Sequence, residues 1–143
     1  MRLSRIGFAF LLAASPISSW VVVAAPAYAQ SAANLSGEWQ GAYLSSDGTD
    51  VNTFTVTFTQ IGKRVTGSVI ELNAFGDQSA AIFLTSTVTG SMDGNNVLFT
   101  KTYDGSGGVS HSVVYRGEIQ PGGRRVRGTF QADAATGTFE MAR

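Results

Sequence analysis

The chain has 143 residues, with ten basic and ten acidic side chains, one histidine and no cysteine. The absence of cysteine excludes disulfides and thiolate metal sites, and a single histidine makes a zinc site unexpected. A balanced charge lacks the basic surface that nucleic-acid binding requires, so we expect neither a nucleic-acid partner nor a metal or other cofactor.

Residues 1–29 have the pattern of a signal peptide. Arg2 and Arg5 form a positive start, apolar stretches follow at 6–14 and 20–25, and Ala27-Tyr-Ala29 matches a cleavage site. Cleavage after Ala29 predicts a periplasmic or secreted protein with no transmembrane segment in the mature chain. An uncleaved N-terminal anchor is the alternative.

The remaining chain is long enough for one domain with one core. We expect residues 30–35 to be a flexible lead-in and residues 36–143 to form the domain. Period-2 alternation of apolar and polar residues, rich in Thr, Val and Phe, predicts strands rather than helices. The eight predicted strands are 36–44, 54–60, 65–72, 82–92, 97–103, 111–120, 125–132 and 137–142.

The connections between these strands predict their order. Short turns are expected at 61–64, 93–96, 121–124 and 133–136. The turns at 61–64, 93–96 and 121–124 share one end of the barrel, the bottom. The turn at 133–136 and the longer loops at 45–53, 73–81 and 104–110 share the other end, the top. Successive strands usually lie side by side, so we predict an all-β, eight-stranded antiparallel up-and-down (meander) barrel closed between its first and last strands. The turns place Gln60 opposite Val65, Met92 opposite Val97, Gln120 opposite Arg125, Arg127 opposite Glu118 and Ala132 opposite Gly137.

Alternate residues of each strand face opposite sides of the sheet. One set is mainly apolar, with members such as Trp39, Phe58 and Phe130, and the other is rich in threonine and charge. The apolar set must be the interior, which is the reverse of an outer-membrane barrel, so we expect a soluble one. Six strands also carry an inward glycine, which either lets a small barrel close or leaves space for a ligand.

The inward positions at the top of the barrel are the candidate site. The lower interior is apolar, whereas the inward residues near the top are polar or aromatic, and this combination is typical of a small-molecule pocket. Lys101 and Glu71 could instead extend to the rim or pair with each other. No spacing marks a nucleophile or base, so we expect no enzyme. The candidate ligand-binding residues are Tyr43, Glu71, Ser86, Lys101, Tyr103, His111 and Tyr115.

The chain resembles the calycin-type barrels, which include the lipocalins, fatty-acid-binding proteins and avidins. The resemblance rests on Gly37-x-Trp39 in the first strand, the eight meander strands and the Val-Thr-Gly-Ser phrases at 65–68 and 88–91. It does not identify a subfamily. It implies a barrel that binds a small, largely apolar molecule through its open end. The alternative is a protein-interaction or inhibitor module of the cell envelope that acts through the top loops 45–53, 73–81 and 104–110.

Overall fold

The computed structural model describes residues 33–143; the predicted signal peptide and residues 30–32 lie outside that range. The described chain forms eight antiparallel strands, which confirms the predicted all-β fold class. One short 3₁₀ helix, Ser106–Gly108, interrupts them. The strands are β1 (Gly37–Ser45), β2 (Val51–Ile61), β3 (Arg64–Leu72), β4 (Phe83–Asp93), β5 (Asn96–Tyr103), β6 (Ser112–Ile119), β7 (Arg125–Gln131) and β8 (Thr136–Ala142).

The strands follow one another around a closed barrel, and β1 also pairs with β8. This seam places Gly41 opposite Met141 and Tyr43 opposite Phe139. Closure gives every strand two hydrogen-bonded neighbours, so the sheet has no exposed edge. Within residues 33–143, no helix is both long and apolar enough to cross a membrane.

The alternation of side chains in the sequence matches the burial in the barrel. Trp39, Val65, Leu84 and Val126 are completely buried, whereas the intervening threonines and charged residues mostly lie on the outside. The interior therefore contains the apolar set that the sequence predicted.

The bottom of the barrel is closed around Trp39. Its indole Nε1 donates a hydrogen bond of 2.7 Å to the carbonyl oxygen of Leu35, and the guanidinium of Arg143 lies 4.5 Å from the centre of its ring. Arg143 also donates to the Ser36 carbonyl oxygen at 2.9 Å. Leu35 was assigned to the flexible lead-in from the sequence, but its side chain is completely buried and its amide donates to Gln60 Oε1 at 2.8 Å.

One of the five predicted strand pairings is wrong, and Arg127 forms its ion pair on the side away from its predicted partner, Glu118. Phe130, not Ala132, lies opposite Gly137, and the turn tightens until the Ala132 amide donates to the Ala135 carbonyl oxygen at 2.7 Å. A β-carbon at residue 137 would overlap the Leu44 carbonyl oxygen on β1 and the Phe130 ring, so glycine is the residue that fits between them. Arg127 lies opposite Glu118 as predicted, but its Nε binds Glu140 on the other neighbouring strand, at 2.6 Å. The other three predicted pairings hold.

The first top loop is shorter than the sequence predicted. Strand β2 begins at Val51 rather than residue 54, which leaves residues 46–50 as the connection. Asp47 stabilises this turn, since its Oδ1 accepts hydrogen bonds from the amide and the hydroxyl of Thr49 at 3.0 and 2.8 Å. Its side chain also accepts from the Ser45 hydroxyl. Because these side-chain hydrogen bonds stabilise the turn, the β1–β2 hairpin extends three residues further toward the top of the barrel than predicted.

Candidate functional site

A cavity of about 420 Å³ lies at the top end of the barrel. Strands β1, β2, β5, β6 and β7 supply its walls, and segments 74–75 and 132–135 border its opening. Its volume falls within the usual range for small-molecule sites. The lining residues are Tyr43, Ser45, Asp50, Val51, Asn52, Ala74, Phe75, Lys101, Tyr103, His111, Val113, Tyr115, Phe130, Ala132, Asp133, Ala134 and Ala135.

A column of aromatic rings runs through the barrel interior and reaches the cavity. Phe58 packs edge-on against Phe99 at 5.4 Å between ring centres, and Phe99 stacks on Tyr115 at 4.8 Å. Phe130 continues the column from Tyr115 to Tyr43, at 6.0 and 5.4 Å. These contacts join the apolar interior of the barrel to the cavity, whose lining includes Tyr43, Tyr115 and Phe130.

A buried cluster of three polar side chains lies at the base of the cavity. Lys101 Nζ donates hydrogen bonds to Glu71 Oε1 at 3.0 Å and to the Tyr103 hydroxyl oxygen at 2.7 Å. The Tyr103 hydroxyl donates to the same Glu71 oxygen. Lys101 is 2% exposed and Glu71 is 3% exposed. Of the two open alternatives, the pair forms, and it lies inside the barrel rather than at the rim.

The cluster results from period-2 geometry on β5 and from the order of the strands. Lys101 and Tyr103 are two residues apart and face the same side. Ser86 on β4 pairs with Tyr103, and Glu71 on β3 reaches them from one strand further away.

Two polar atoms near this cluster lack partners. Glu71 Oε2 and Ser86 Oγ are buried and accept or donate no hydrogen bond within the described part of the chain. An unpartnered buried polar atom costs free energy, about 1–3 kcal/mol for a neutral group. Such atoms are uncommon in folded proteins and call for an explanation, such as a water, an ion or a functional role.

Burial controls the charge of Lys101. Removal from water lowers the pKa of its amine, and the attraction of Glu71 together with their hydrogen bond only partly offsets this effect. Burial is the larger effect although three tyrosine rings near Nζ favour the charged amine, with their centres 4.4 Å (Tyr103), 5.6 Å (Tyr43) and 5.7 Å (Tyr115) away. The amine therefore loses its proton more readily than an ordinary lysine.

The same environment keeps the tyrosines neutral. Burial and then the nearby charge of Glu71 raise the pKa of Tyr43 to about 12, although a hydrogen bond from Asn52 opposes the shift. The pKa values of Tyr103 and Tyr115 are also raised, first by burial and then by Glu71. All three hydroxyls can thus donate hydrogen bonds at any physiological pH.

Asn52 and Phe75 are two of the wall residues that the sequence analysis did not assign to the site. Asn52 is buried and its Nδ2 donates to the Tyr43 hydroxyl at 3.3 Å and to the Leu72 carbonyl oxygen at 3.2 Å. It was assigned to a loop because β2 was predicted to start later. Phe75 lies in the second top loop, and its ring packs edge-on against Tyr103 at 5.9 Å and near His111 at 6.2 Å. No local pattern in the sequence distinguishes it from an ordinary loop residue.

The loop that carries Phe75 is held by a buried asparagine. Asn73 Nδ2 donates to the carbonyl oxygens of Asp77 and Ala81 at 3.0 and 2.9 Å, and its Oδ1 accepts from the Gly76 amide at 2.7 Å. The Asp77 amide also donates to the Gly107 carbonyl oxygen in the third top loop, at 2.8 Å. The third top loop therefore holds the second, which carries Phe75 to the cavity mouth.

The seven predicted site residues divide into two groups. Tyr43, Lys101, Tyr103, His111 and Tyr115 line the cavity. Glu71 and Ser86 do not line it; Glu71 lies behind Lys101 and Tyr103 and contacts the cavity only through them. Among residues 33–143, no three His, Asp or Glu side chains converge in a way that could hold a metal ion.

Comparisons with known proteins agree with the fold. The chain is similar to the structure of a redesigned β-barrel, with a TM-score of 0.58 and 14% sequence identity over 76% of this chain and 90% of that one. At this identity the likeness shows the architecture alone. No family model and no curated protein matches the chain. The protein is thus a small, closed, eight-stranded antiparallel β-barrel with a cavity at one end.

Proposed function

We propose that this protein is an exported calycin-type carrier that binds a small, largely apolar molecule in its top cavity. The main support is the cavity of about 420 Å³, with aromatic walls and a compact polar cluster at its base. Apolar walls provide affinity through burial, and a few fixed polar groups orient the ligand. The signal-peptide pattern of residues 1–29 supports export to the periplasm or beyond.

The cavity favours binding over catalysis. Tyr43 and Tyr115 offer neutral hydroxyls, whereas the Tyr103 hydroxyl is already bonded to Glu71 and Lys101. The positive charge of Lys101 is balanced by Glu71. A ligand with an apolar body and one neutral polar group fits this distribution. His111 lines the opening and packs against Tyr103, with 4.9 Å between ring centres, a position suited to a wall residue.

An environment-sensitive apolar fluorophore tests this proposal. Titration of the wild-type protein should give saturable binding of one probe molecule with a rise in emission. Ala132→Phe should weaken binding by at least about tenfold, a loss near 1.4 kcal/mol, because Ala132 borders the cavity. Ala80→Phe is the matched control, since Ala80 is exposed and lies outside the lining. Equal binding by both variants would place the probe elsewhere and contradict the proposal.

A second candidate function is protein interaction through the top loops. The observation that favours it is the exposure of large apolar side chains in and beside the second loop: Phe75 is 50% exposed, Ile82 73% and Phe83 49%. Ile82→Ser tests it, because Ile82 does not line the cavity. Loss of a captured envelope protein by this variant, with unchanged fluorophore binding, would favour the interaction role.

A further inference from the structure

The chain after residue 29 contains two lysines, and they occupy opposite environments. Lys63 is exposed in the turn between β2 and β3 and pairs with Asp93 at 2.6 Å, with both side chains 78% exposed. Lys101 is buried at the base of the cavity, where it is the one lysine among the lining residues. A desolvated lysine beside a cavity is the type of residue that forms Schiff bases with carbonyl compounds.

The charges around Lys101 select the ligand class. Glu71 balances the positive charge of Lys101 at 3.0 Å, so a ligand carboxylate would meet the Glu71 charge as well as the lysine. A neutral ligand avoids that repulsion. The three tyrosine rings within 6 Å of Nζ suit a flat, unsaturated body.

We infer that Lys101 is a covalent attachment site, at which its amine forms a reversible imine with an apolar, unsaturated aldehyde bound in the cavity. This inference rests on the proposed ligand-binding function and names its ligand class. The cavity supplies space for the body of the aldehyde, and the amine at its base supplies the nucleophile.

The reaction balances without a further reagent. The neutral amine of Lys101 adds to the carbonyl carbon, a C–N bond forms, and the carbonyl oxygen takes up a proton. The carbinolamine then loses its hydroxyl as water while the C=N bond forms. The amine provides both hydrogens of that water, and nothing is oxidised or reduced.

The neighbours of Lys101 are placed to move these protons. Glu71 Oε1 and the Tyr103 hydroxyl both lie within hydrogen-bond distance of Nζ. Glu71 Oε1 already accepts a hydrogen bond from Nζ, so this carboxylate oxygen is placed to take the proton that leaves the ammonium. Glu71 and Tyr103 are positioning residues, whereas the reacting group is Lys101 Nζ.

The lysine environments also predict different reactivities. Burial lowers the pKa of Lys101, while hydrogen bonding to Asp93 raises the pKa of Lys63. Each unit of difference in pKa gives about tenfold more neutral amine at a pH below both values. Lys63 therefore serves as an internal control within the same molecule.

The test uses trans-cinnamaldehyde as the probe, with cyanoborohydride to reduce any imine to a stable amine, followed by peptide mapping. Among the lysines, we expect most of the label on Lys101 and little on Lys63. Lys63→Met should retain the adduct and Lys101→Met should lose it. The mapping is decisive in the wild-type protein, so the result holds even if Lys101→Met does not fold.

Cinnamyl alcohol separates this inference from the proposed function, because it has the same shape but cannot form an imine. Calorimetric binding of the alcohol without label on Lys101 would overturn the imine and leave the binding function standing. Label spread equally over both lysines would also overturn it. If the alcohol does not bind and Lys101 remains unlabelled, the inference and the proposed cavity function both fail.

Discussion

At the scale of single residues, the Lys101–Glu71 pair is the most informative feature of the barrel. Both side chains are almost fully buried. Removing each ion from water costs free energy, and the attraction between the two ions offsets only part of that cost. Removal of one partner leaves the other as an isolated buried charge. The pair is therefore expected to behave very differently in single and double variants.

Lys101→Met alone should destabilise the fold by about 3–5 kcal/mol, because Glu71 would remain buried without its cation. Lys101→Met combined with Glu71→Leu should recover most of that loss, since well-packed apolar groups can replace a buried pair. Urea denaturation followed by circular dichroism measures both changes. A double variant as unstable as the single one would show that the pair itself stabilises the barrel.

The tyrosines of the cavity predict a simple spectroscopic titration. Tyr28 lies in the predicted signal peptide. After the predicted cleavage the protein has three tyrosines, which are Tyr43, Tyr103 and Tyr115. Their raised pKa values mean that the folded protein retains the phenolic protons at a pH where the unfolded chain has lost them. Tyrosinate absorbance of the native protein should thus stay low at pH 11, whereas denaturant-unfolded protein titrates near 10.

The direction in which stability changes with pH follows from the same pKa shifts. For Tyr43 the folded pKa of about 12 lies above the ordinary 10.0, so its contribution is complete below pH 10 and is lost as the pH rises toward 12. Lys101 acts in the opposite direction, since its lowered pKa makes stability rise with pH up to its ordinary 10.5. A native titration with a midpoint near 10 would contradict the burial of these hydroxyls.

At the scale of strands, inward glycines set how closely neighbouring strands approach. Gly117 on β6 lies opposite Gly128 on β7. A β-carbon at residue 128 would overlap the Arg116 carbonyl oxygen and the Gly117 backbone. Backbone atoms cannot rotate aside as a side chain can, so this contact fixes the residue type. The inward glycines thus serve closure here, the first of the two alternatives left open by the sequence.

Gly128→Ala should therefore cost about 1–3 kcal/mol through overpacking. Thr129→Ala on the same strand is the matched control, because Thr129 is exposed and surface changes are usually within about 0.5 kcal/mol. Thermal or urea unfolding of the two variants gives the comparison. Equal stability of both variants would mean that β6 and β7 can separate without cost.

At the scale of the whole molecule, the sequence predicted the architecture better than the site. In a closed barrel only one of the two alternating sets of side chains can face the interior, and here it is the apolar set. Trp39 and Phe130 could therefore be assigned to the interior directly. Five of the seven site residues followed from the same alternation, because the cavity is simply the upper part of that interior.

The features that the sequence missed depend on contacts between distant residues. Phe75 reaches the mouth because buried Asn73 and the Gly107 carbonyl oxygen hold its loop. Glu71 lies behind the cavity rather than in it because Lys101 and Tyr103 reach toward it from β5. Leu35 joins the floor through Trp39 and Gln60. Period-2 alternation carries no information about such contacts.

Native mass spectrometry of the protein purified from its own host tests the central claim, that the top cavity holds a small molecule, most directly. Wild type and Ala80→Phe should retain one bound small molecule that dissociates at higher collision energy, and Ala132→Phe should not. An imine at Lys101 would appear as a bound mass that survives until mild acid hydrolysis. A ligand-free mass for the wild type, with no uptake of apolar compounds added afterwards, would contradict the claim.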